Sequence, residues 1–144
     1  MVEIVTDTDA VVEQILTKYD TITVVGASNS VDKAAHYVPE HMQQHGWRIV
    51  PVNPRGGSIL GEPAYRTLAE VPVPVGLVDV FRPSEQTPDI ARQAVAAGAE
   101  ALWLQLHIAS AETRRIAEDA GLLYVEDRCL IIEQHRLGID APEH

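Results

Sequence analysis

The feature that most constrains this chain is a repeated order of helical segment, glycine and short apolar strand. Helical patterns end at Gly46, Gly98 and Gly121, and an apolar run begins one to three residues after each glycine. Strands that are apolar on both faces and alternate with helices are typical of a parallel sheet covered by helices on both sides. Because crossovers between parallel strands are right-handed, the pattern predicts an α/β fold, a three-layer, doubly wound, Rossmann-like sheet.

The same reading assigns approximate limits to the elements. Strands are predicted at 21–27, 48–53, 75–81 and 101–106, with 122–126 and 129–132 as a fifth strand or a bent pair, and helices at 8–19, 36–45, 87–98 and 110–121. Pro39 requires the second helix to start late or to bend near its first turn. The long connection 54–74 has room for one helical turn, at 65–70. With 144 residues and no linker, we expect one domain over 1–144, ending in a tail at 138–144.

Charge and cysteine content narrow the classes of partner. The net charge is −10, which argues against nucleic acid, because binding there depends on neutralising phosphates. No apolar stretch approaches the roughly 20 residues of a membrane span. The single cysteine, Cys129, cannot form an internal disulfide, so a cytoplasmic protein is expected. Residues 21–66 carry a net positive charge, unlike the rest of the chain, because Lys33, Arg48, Arg55 and Arg66 outnumber three acidic residues. A positively charged segment suits a compact anionic ligand.

The loop after the first strand is a candidate phosphate site. It consists of Gly26, Ala27, Ser28, Asn29 and Ser30. Glycine lets a backbone approach a phosphate closely, and amides at a helix start attract anions. The loop is not a complete G-x-G-x-x-G fingerprint, and glycine at this point is also common for packing reasons. Phosphate binding and simple packing therefore both remain open for this loop.

The end of the second strand discriminates between nucleotides. An NAD site places an acidic residue there to bind the ribose hydroxyls, whereas arginine suits a ribose phosphate. This chain has Asn53, Pro54 and Arg55, with no acidic residue before Glu62. The pattern favours a ribose-phosphate ligand over NAD, with a solvated loop arginine as the alternative.

Five motifs in order resemble one known family. They are VVGAS (24–28), RIVPVNPRGGSILGEPAY (48–65), DVFRP (79–83), ALWLQLHI (101–108) and EDRCLIIE (126–133). Over about residues 15–137 the chain is similar to the small stand-alone CoA-binding domain proteins. More distantly, it resembles the CoA-binding domain of succinyl-CoA synthetase alpha subunits.

That resemblance implies a ligand, coenzyme A or an acyl-CoA, lying across the carboxyl edge of the sheet. It assigns the phosphates to Gly26, Ala27, Ser28, Asn29, Ser30, Asn53 and Arg55, the adenine to Phe81, Arg82 and Pro83, and the pantetheine arm to Leu104, Gln105 and Leu106. It implies binding and does not imply catalysis. We therefore expect a non-catalytic carrier, a sensor or a subunit that acts with another protein or a second copy of the chain. Two departures are His107, where the family usually has glycine, and an atypical segment around Lys33.

The remaining candidates are weaker. His41 and His45 stand at i, i+4, yet they and His36 lack a third ligand, so solvated histidines are expected rather than a metal site. Cys129 is either a thiolate stabilised by Arg128, able to form a mixed disulfide with CoA, or a structural cysteine.

His107 follows a strand at the binding edge, where it could contact the ligand or its thiol. Asp79, inside an apolar strand, needs a partner such as Arg82 or a backbone amide if it is buried. No catalytic residue is predicted. Two other functions stay open: a small NADP-linked oxidoreductase or redox sensor, for which no Tyr–Lys pair is evident, and an interaction module without a ligand.

Overall fold

A five-stranded parallel sheet forms the centre of the computed structural model, which describes residues 7–143. Residues 1–6 of the predicted domain and His144 of the predicted tail lie outside the described residues. The strands are β1 (Thr21–Val25), β2 (Arg48–Val52), β5 (Leu77–Val80), β6 (Ala101–Leu104) and β7 (Leu123–Val125). Their order is β2-β1-β5-β6-β7, and every neighbouring pair is parallel.

Helices cover both faces of this sheet. They are α1 (Asp7–Lys18), α2 (Ala34–Gln44), α3 (Thr87–Ala96), α4 (Ala111–Asp119) and α5 (Leu130–Leu137). One core packs α1, α2 and α5 on one face, and a second core packs α3 and α4 on the other. The architecture is the predicted three-layer α/β fold. None of the helices described in residues 7–143 combines the length and apolar character that crossing a bilayer requires.

The segment 129–132 is a correction to the sequence analysis, because it starts α5 instead of adding a strand. The chain turns at Asp127, whose φ is +56°, after β7 has ended. The buried residues that follow are Leu130, Glu133 and Gln134, spaced as one helix face, while Ile132 is exposed. Gly138 then ends the helix in the left-handed conformation. Short apolar runs do not distinguish strand from buried helix, which explains the error.

The connection between β2 and β5 contains a small hairpin that was not predicted. Strands β3 (Ser58–Ile59) and β4 (Glu62–Pro63) pair antiparallel. Tyr65 then returns beside Val52 as an isolated parallel bridge. The single helical turn expected within 65–70 is present as a 3₁₀ turn at Leu68–Glu70.

Pro39 neither delays nor ends α2, since the helix begins at Ala34, two residues before the predicted start. Proline has no N–H for the carbonyl four residues earlier, which here belongs to Ala35. The Ser28 N–H donates to that Ala35 carbonyl instead, at 3.2 Å. The loop after β1 is thereby tied to the first turn of α2.

Candidate functional site

The candidate site lies where the order of the strands reverses. From β1 the chain passes to β2 on one side and later to β5 on the other. In open parallel sheets the loops at such a reversal diverge and leave a ligand crevice at the carboxyl edge. Here the loops begin at Gly26, whose N–H donates to the Val52 carbonyl, and at Phe81, whose N–H donates to the Val25 carbonyl.

A cavity of about 450 Å³, here called the loop cavity, opens between these loops. The predicted binding residues that line it are Gly26, Ala27, Ser28, Ser30, Asn53, Arg55, Phe81 and Arg82. Lys33, Ala35 and Pro54 complete the lining. Residues from three separate loops, predicted as one site, therefore share one concave surface.

The other predicted residues lie outside this cavity. The Asn29 side chain donates to the Ser58 carbonyl at 3.0 Å, and Pro83 is exposed at the start of a 3₁₀ turn. Leu104 and Gln105 have their side chains buried, so neither presents a side chain to a ligand at the edge. Leu106 is 44% exposed, and its contact with a pantetheine arm stays a prediction.

The loop after β1 offers fewer free amides than its sequence suggests. The Gly26 and Ser28 N–H groups bond to carbonyls, and the Ser30 N–H donates to Ser28 Oγ at 3.0 Å. Within the part of the chain that the structure describes, the amides of Ala27 and Asn29 have no protein acceptor. Bonded and unbonded amides thus alternate along this loop.

The helix that follows adds to this anion-binding character. Ala35, in the first turn of α2, lines the loop cavity, and the N-cap residue Lys33 makes no side-chain cap. The positive end of the helix dipole therefore borders the cavity.

Gly26 and Asn53 fix the shape of the loop cavity. Gly26 has φ +90°, and a Cβ placed on it would lie 2.6 Å from the Phe81 carbonyl oxygen. The packing explanation for this glycine is therefore correct, whether or not phosphate also binds. Asn53 joins the loops by donating from Nδ2 to the Ala27 carbonyl at 2.7 Å and accepting the Arg55 N–H at Oδ1 at 2.8 Å.

Cations with no acidic partner gather at this edge. Lys33, Arg55, Arg66 and Arg82 are exposed, and among the described residues no carboxylate forms an ion pair with any of them. The Arg82 Nε–H donates to the neutral Gln86 Oε1. In a chain of net charge −10, this edge is suited to an anion.

A second cavity of about 390 Å³ adjoins the first, sharing Gly26, Pro54 and Arg82 with it. We call it the apolar cavity, because its lining includes the apolar side chains of Val25, Val52, Leu68 and Ile90. Arg66 also lines it, and the sequence analysis did not place Arg66 in the site. No strand-end motif marks Arg66. The feature of the sequence that pointed to it was the excess of basic over acidic residues within 21–66.

Asp79 finds a different partner from the ones proposed from sequence. Its side chain is fully buried, and Oδ1 accepts a 2.7 Å hydrogen bond from Gln105 Nε2. Oδ2 has no partner among the described residues. Burial raises the pKa of Asp79 to about 8, although the hydrogen bonds from Gln105 and the Val80 backbone oppose the shift.

Cys129 and Arg128 do not form the reactive pair that was considered. Arg128 Nη1 lies 3.1 Å from Asp9 Oδ1 and 3.2 Å from Glu133 Oε1, so two carboxylates hold the guanidinium. Cys129 is the N-cap residue of α5, not the start of a strand.

His107 is exposed with φ +71°, and its N–H donates to Asp127 Oδ1 at 2.7 Å. This contact involves the backbone, so a role of its imidazole toward a ligand stays a prediction.

The α2 histidine His41 and the adjacent His45 lie within hydrogen-bond distance of other side chains. His41 Nε2 and Gln134 Oε1 lie 2.7 Å apart, and His45 Nδ1 lies 2.9 Å from Asp140 Oδ1. His36 is buried. Across residues 7–143, no three His, Cys, Asp or Glu side chains are arranged to hold a metal ion.

Comparison with known proteins identifies the family. A family model described as "CoA binding domain" matches residues 20–135. The chain belongs to the CoA-binding domain family. This confirms the resemblance drawn from the five motifs, and CoA is the ligand class that the family indicates.

Similar proteins and structures span most of this CoA-binding domain. The uncharacterized protein YneT of Bacillus subtilis is 34% identical over 121 residues, which are 84% of this chain and 90% of YneT. The structure of cell-free ID.343 from Thermus thermophilus has a TM-score of 0.84 at 37% identity, over 90% of this chain and 98% of that one. A dinucleotide-forming acetyl-coenzyme A synthetase from Ca. Korarchaeum cryptofilum shares the fold, with a TM-score of 0.68 at 19% identity over 81% of this chain and 27% of that one.

Proposed function

We propose that this protein binds coenzyme A or an acyl-CoA across the loop cavity and the apolar cavity. One observation carries the proposal. Lys33, Arg55, Arg66 and Arg82 converge on one crevice of an acidic protein without ion-pair partners among the described residues. Clustered like charges repel one another, and a ligand with several phosphates offsets that repulsion. CoA, which carries a diphosphate and a 3′-phosphate, is such a ligand.

The chemistry of the two cavities suggests how the ligand is divided between them. The loop cavity combines the amides of the Gly26–Ser30 loop, the amino end of α2 and the Arg55 guanidinium, all suited to the diphosphate. The apolar cavity is wide enough for a purine, and Arg82, on the wall common to both cavities, can stack on a flat base. Of the three residues predicted for the adenine, Arg82 lines the apolar cavity, Phe81 lines the loop cavity and Pro83 lines neither. In this arrangement Leu106 lies toward the pantetheine.

We propose further that the protein acts by binding, as a carrier, a sensor or a partner-dependent subunit. The hydroxyls in the loop support this. Ser28 Oγ accepts the Ser30 N–H, and no histidine hydrogen-bonds to either serine within residues 7–143. An activated serine needs such a base to act as a nucleophile.

Isothermal titration calorimetry with CoA, acetyl-CoA, NAD and NADP tests the proposal. We expect CoA to bind more tightly than NAD or NADP. Arg55→Gln should weaken CoA binding roughly tenfold or more, because a charge-assisted contact contributes about 1.5–3 kcal/mol. Arg48→Gln is the matched control, since it removes the same charge at the start of β2, the opposite edge of the sheet.

Two results would contradict the proposal. Tighter binding of NADP than of CoA would favour an NADP-linked oxidoreductase or redox sensor. No binding of any nucleotide would favour an interaction module. Mass spectrometry of gently purified protein gives an independent check, because a co-purifying nucleotide thiol would support the proposal.

A further inference from the structure

The fold brings Arg66 to the end of β2, although the two are separated by the whole hairpin connection. The Tyr65 carbonyl accepts the Asn53 N–H at 2.8 Å, and the Tyr65 N–H donates to the Pro51 carbonyl at 3.0 Å. The Arg66 N–H donates to Glu70 Oε1 at 3.1 Å. The backbone on both sides of Arg66 is therefore held to the sheet edge and to the following turn.

The side chain of Arg66 lies along the same turn that carries Arg55. A Cβ placed on Gly56 would be 3.4 Å from Arg66 Nε and 3.7 Å from its Cγ. Arg66 thus packs beside the residue next to Arg55 in the chain. Arg55 lines the loop cavity, Arg66 lines the apolar cavity, and Pro54 lines both. The two arginines therefore line adjoining cavities that share Pro54.

The Arg66 guanidinium has no ion-pair partner among residues 7–143. No carboxylate of the described residues pairs with its guanidinium, and Asp89, the acidic residue in the apolar cavity, accepts a hydrogen bond from Gln93 at 2.8 Å. An arginine in this environment is suited to bidentate binding of a phosphate.

We infer that Arg66 is a specificity-determining residue that grips the ribose 3′-phosphate of the ligand. The inference rests on the proposed function and follows from the order of groups along CoA. If the purine occupies the apolar cavity and the diphosphate the loop cavity, the ribose crosses the wall at Pro54. The phosphate on that ribose is then the one nearest the base, on the side of the apolar cavity where Arg66 lies. Arg55, whose position after β2 was first taken to suit a ribose phosphate, is left with the diphosphate, because it lines the loop cavity.

The two arginines therefore differ in what their loss removes. With Arg66→Gln, we expect the affinity for CoA to fall roughly ten- to hundredfold, the range of a lost charge-assisted contact, while the affinity for dephospho-CoA is unchanged. With Arg55→Gln, both affinities fall together. Arg66→Lys should recover part of the preference for CoA, because the charge remains and the planar fork is lost.

Calorimetry of CoA and dephospho-CoA against the unaltered protein, these three variants and the Arg48→Gln control tests the inference. A preference for CoA that disappears in Arg66→Gln and persists in Arg48→Gln supports it. An Arg66→Gln variant that retains the preference, or that loses both ligands equally, overturns it and leaves the proposed function standing. Failure of the unaltered protein to bind either ligand overturns the proposed function and this inference with it. Melting temperatures equal to that of the unaltered protein show that the variants remain folded.

Discussion

The buried carboxyl of Asp79 makes the stability of this protein depend on pH in a direction that can be tested. Its side chain has no exposure, and burial raises its pKa to about 8. In an unfolded chain an aspartate titrates near about 3.9. Between these values the folded protein holds a proton that the unfolded chain releases. The stabilising contribution of this group is therefore complete below about pH 4 and is lost progressively until about pH 8.

Asp79→Asn removes this dependence, because asparagine keeps the shape and cannot ionise. Each pH unit within the window costs the unaltered protein about 1.4 kcal/mol of unfolding free energy. From pH 5 to pH 7 the variant should therefore gain about 3 kcal/mol relative to the unaltered protein. The amide oxygen introduced by this substitution would still accept the hydrogen bond from Gln105, so the packing of β5 against β6 is retained.

Urea denaturation of both proteins at pH 5, 6 and 7 measures the effect, and other titrating groups cancel in the difference. Asp119→Asn, at the exposed end of α4, is the control for loss of a carboxyl group and should show a far smaller slope. A difference between Asp79→Asn and the unaltered protein that is constant with pH would refute the reasoning. It would mean that Asp79 is ionised in the folded protein.

Three further predictions concern stability. Gly26→Ala should lower the free energy of unfolding, measured by urea titration, by about 1–3 kcal/mol, since its Cβ would lie 2.6 Å from the Phe81 carbonyl oxygen. Gly57→Ala is the control and should lower it less, because nothing lies within 4 Å of a Cβ at that position. Glu133→Gln should cost about 1–3 kcal/mol by urea denaturation, because the buried carboxylate accepts hydrogen bonds from two arginines, and an unchanged midpoint would contradict this role. Cys129→Ser should raise the melting temperature and add about 0.5–1 kcal/mol to the free energy of unfolding, because serine can cap α5, where cysteine makes no cap hydrogen bond. A lower melting temperature would argue that the thiol stabilises the protein by packing instead.

Several parts of the fold and site were accessible from local sequence. The apolar strands and the glycines after the helices predicted the layered sheet, since periodicity and turn chemistry act over a few residues. The helix predicted from residue 110 is α4, and Ser110 is its N-cap, whose Oγ accepts the Thr113 N–H at 3.2 Å. The resemblance to the CoA-binding domain proteins placed Gly26, Arg55 and Arg82 in one site, and all three line the loop cavity.

Other features depend on contacts between distant segments. Gln105 was assigned to the route of the pantetheine arm, and the structure shows its side chain buried and donating to Asp79, because the pairing of β5 with β6 brings these residues together. Arg128 was considered a partner for Cys129, but α1 and α5 supply the carboxylates that hold it.

The sequence alone determined the class of fold and the family, and it predicted the edge of the sheet that carries the candidate site, because each depends on short, contiguous patterns. Tertiary structure decided which amides of the loop after β1 are already bonded, and that the Arg66 side chain packs beside Gly56, the residue after Arg55. Both features depend on the positions of the hairpin connection and of the start of α2 in the folded protein. Such positions depend on packing between segments far apart in the chain, which no local pattern records.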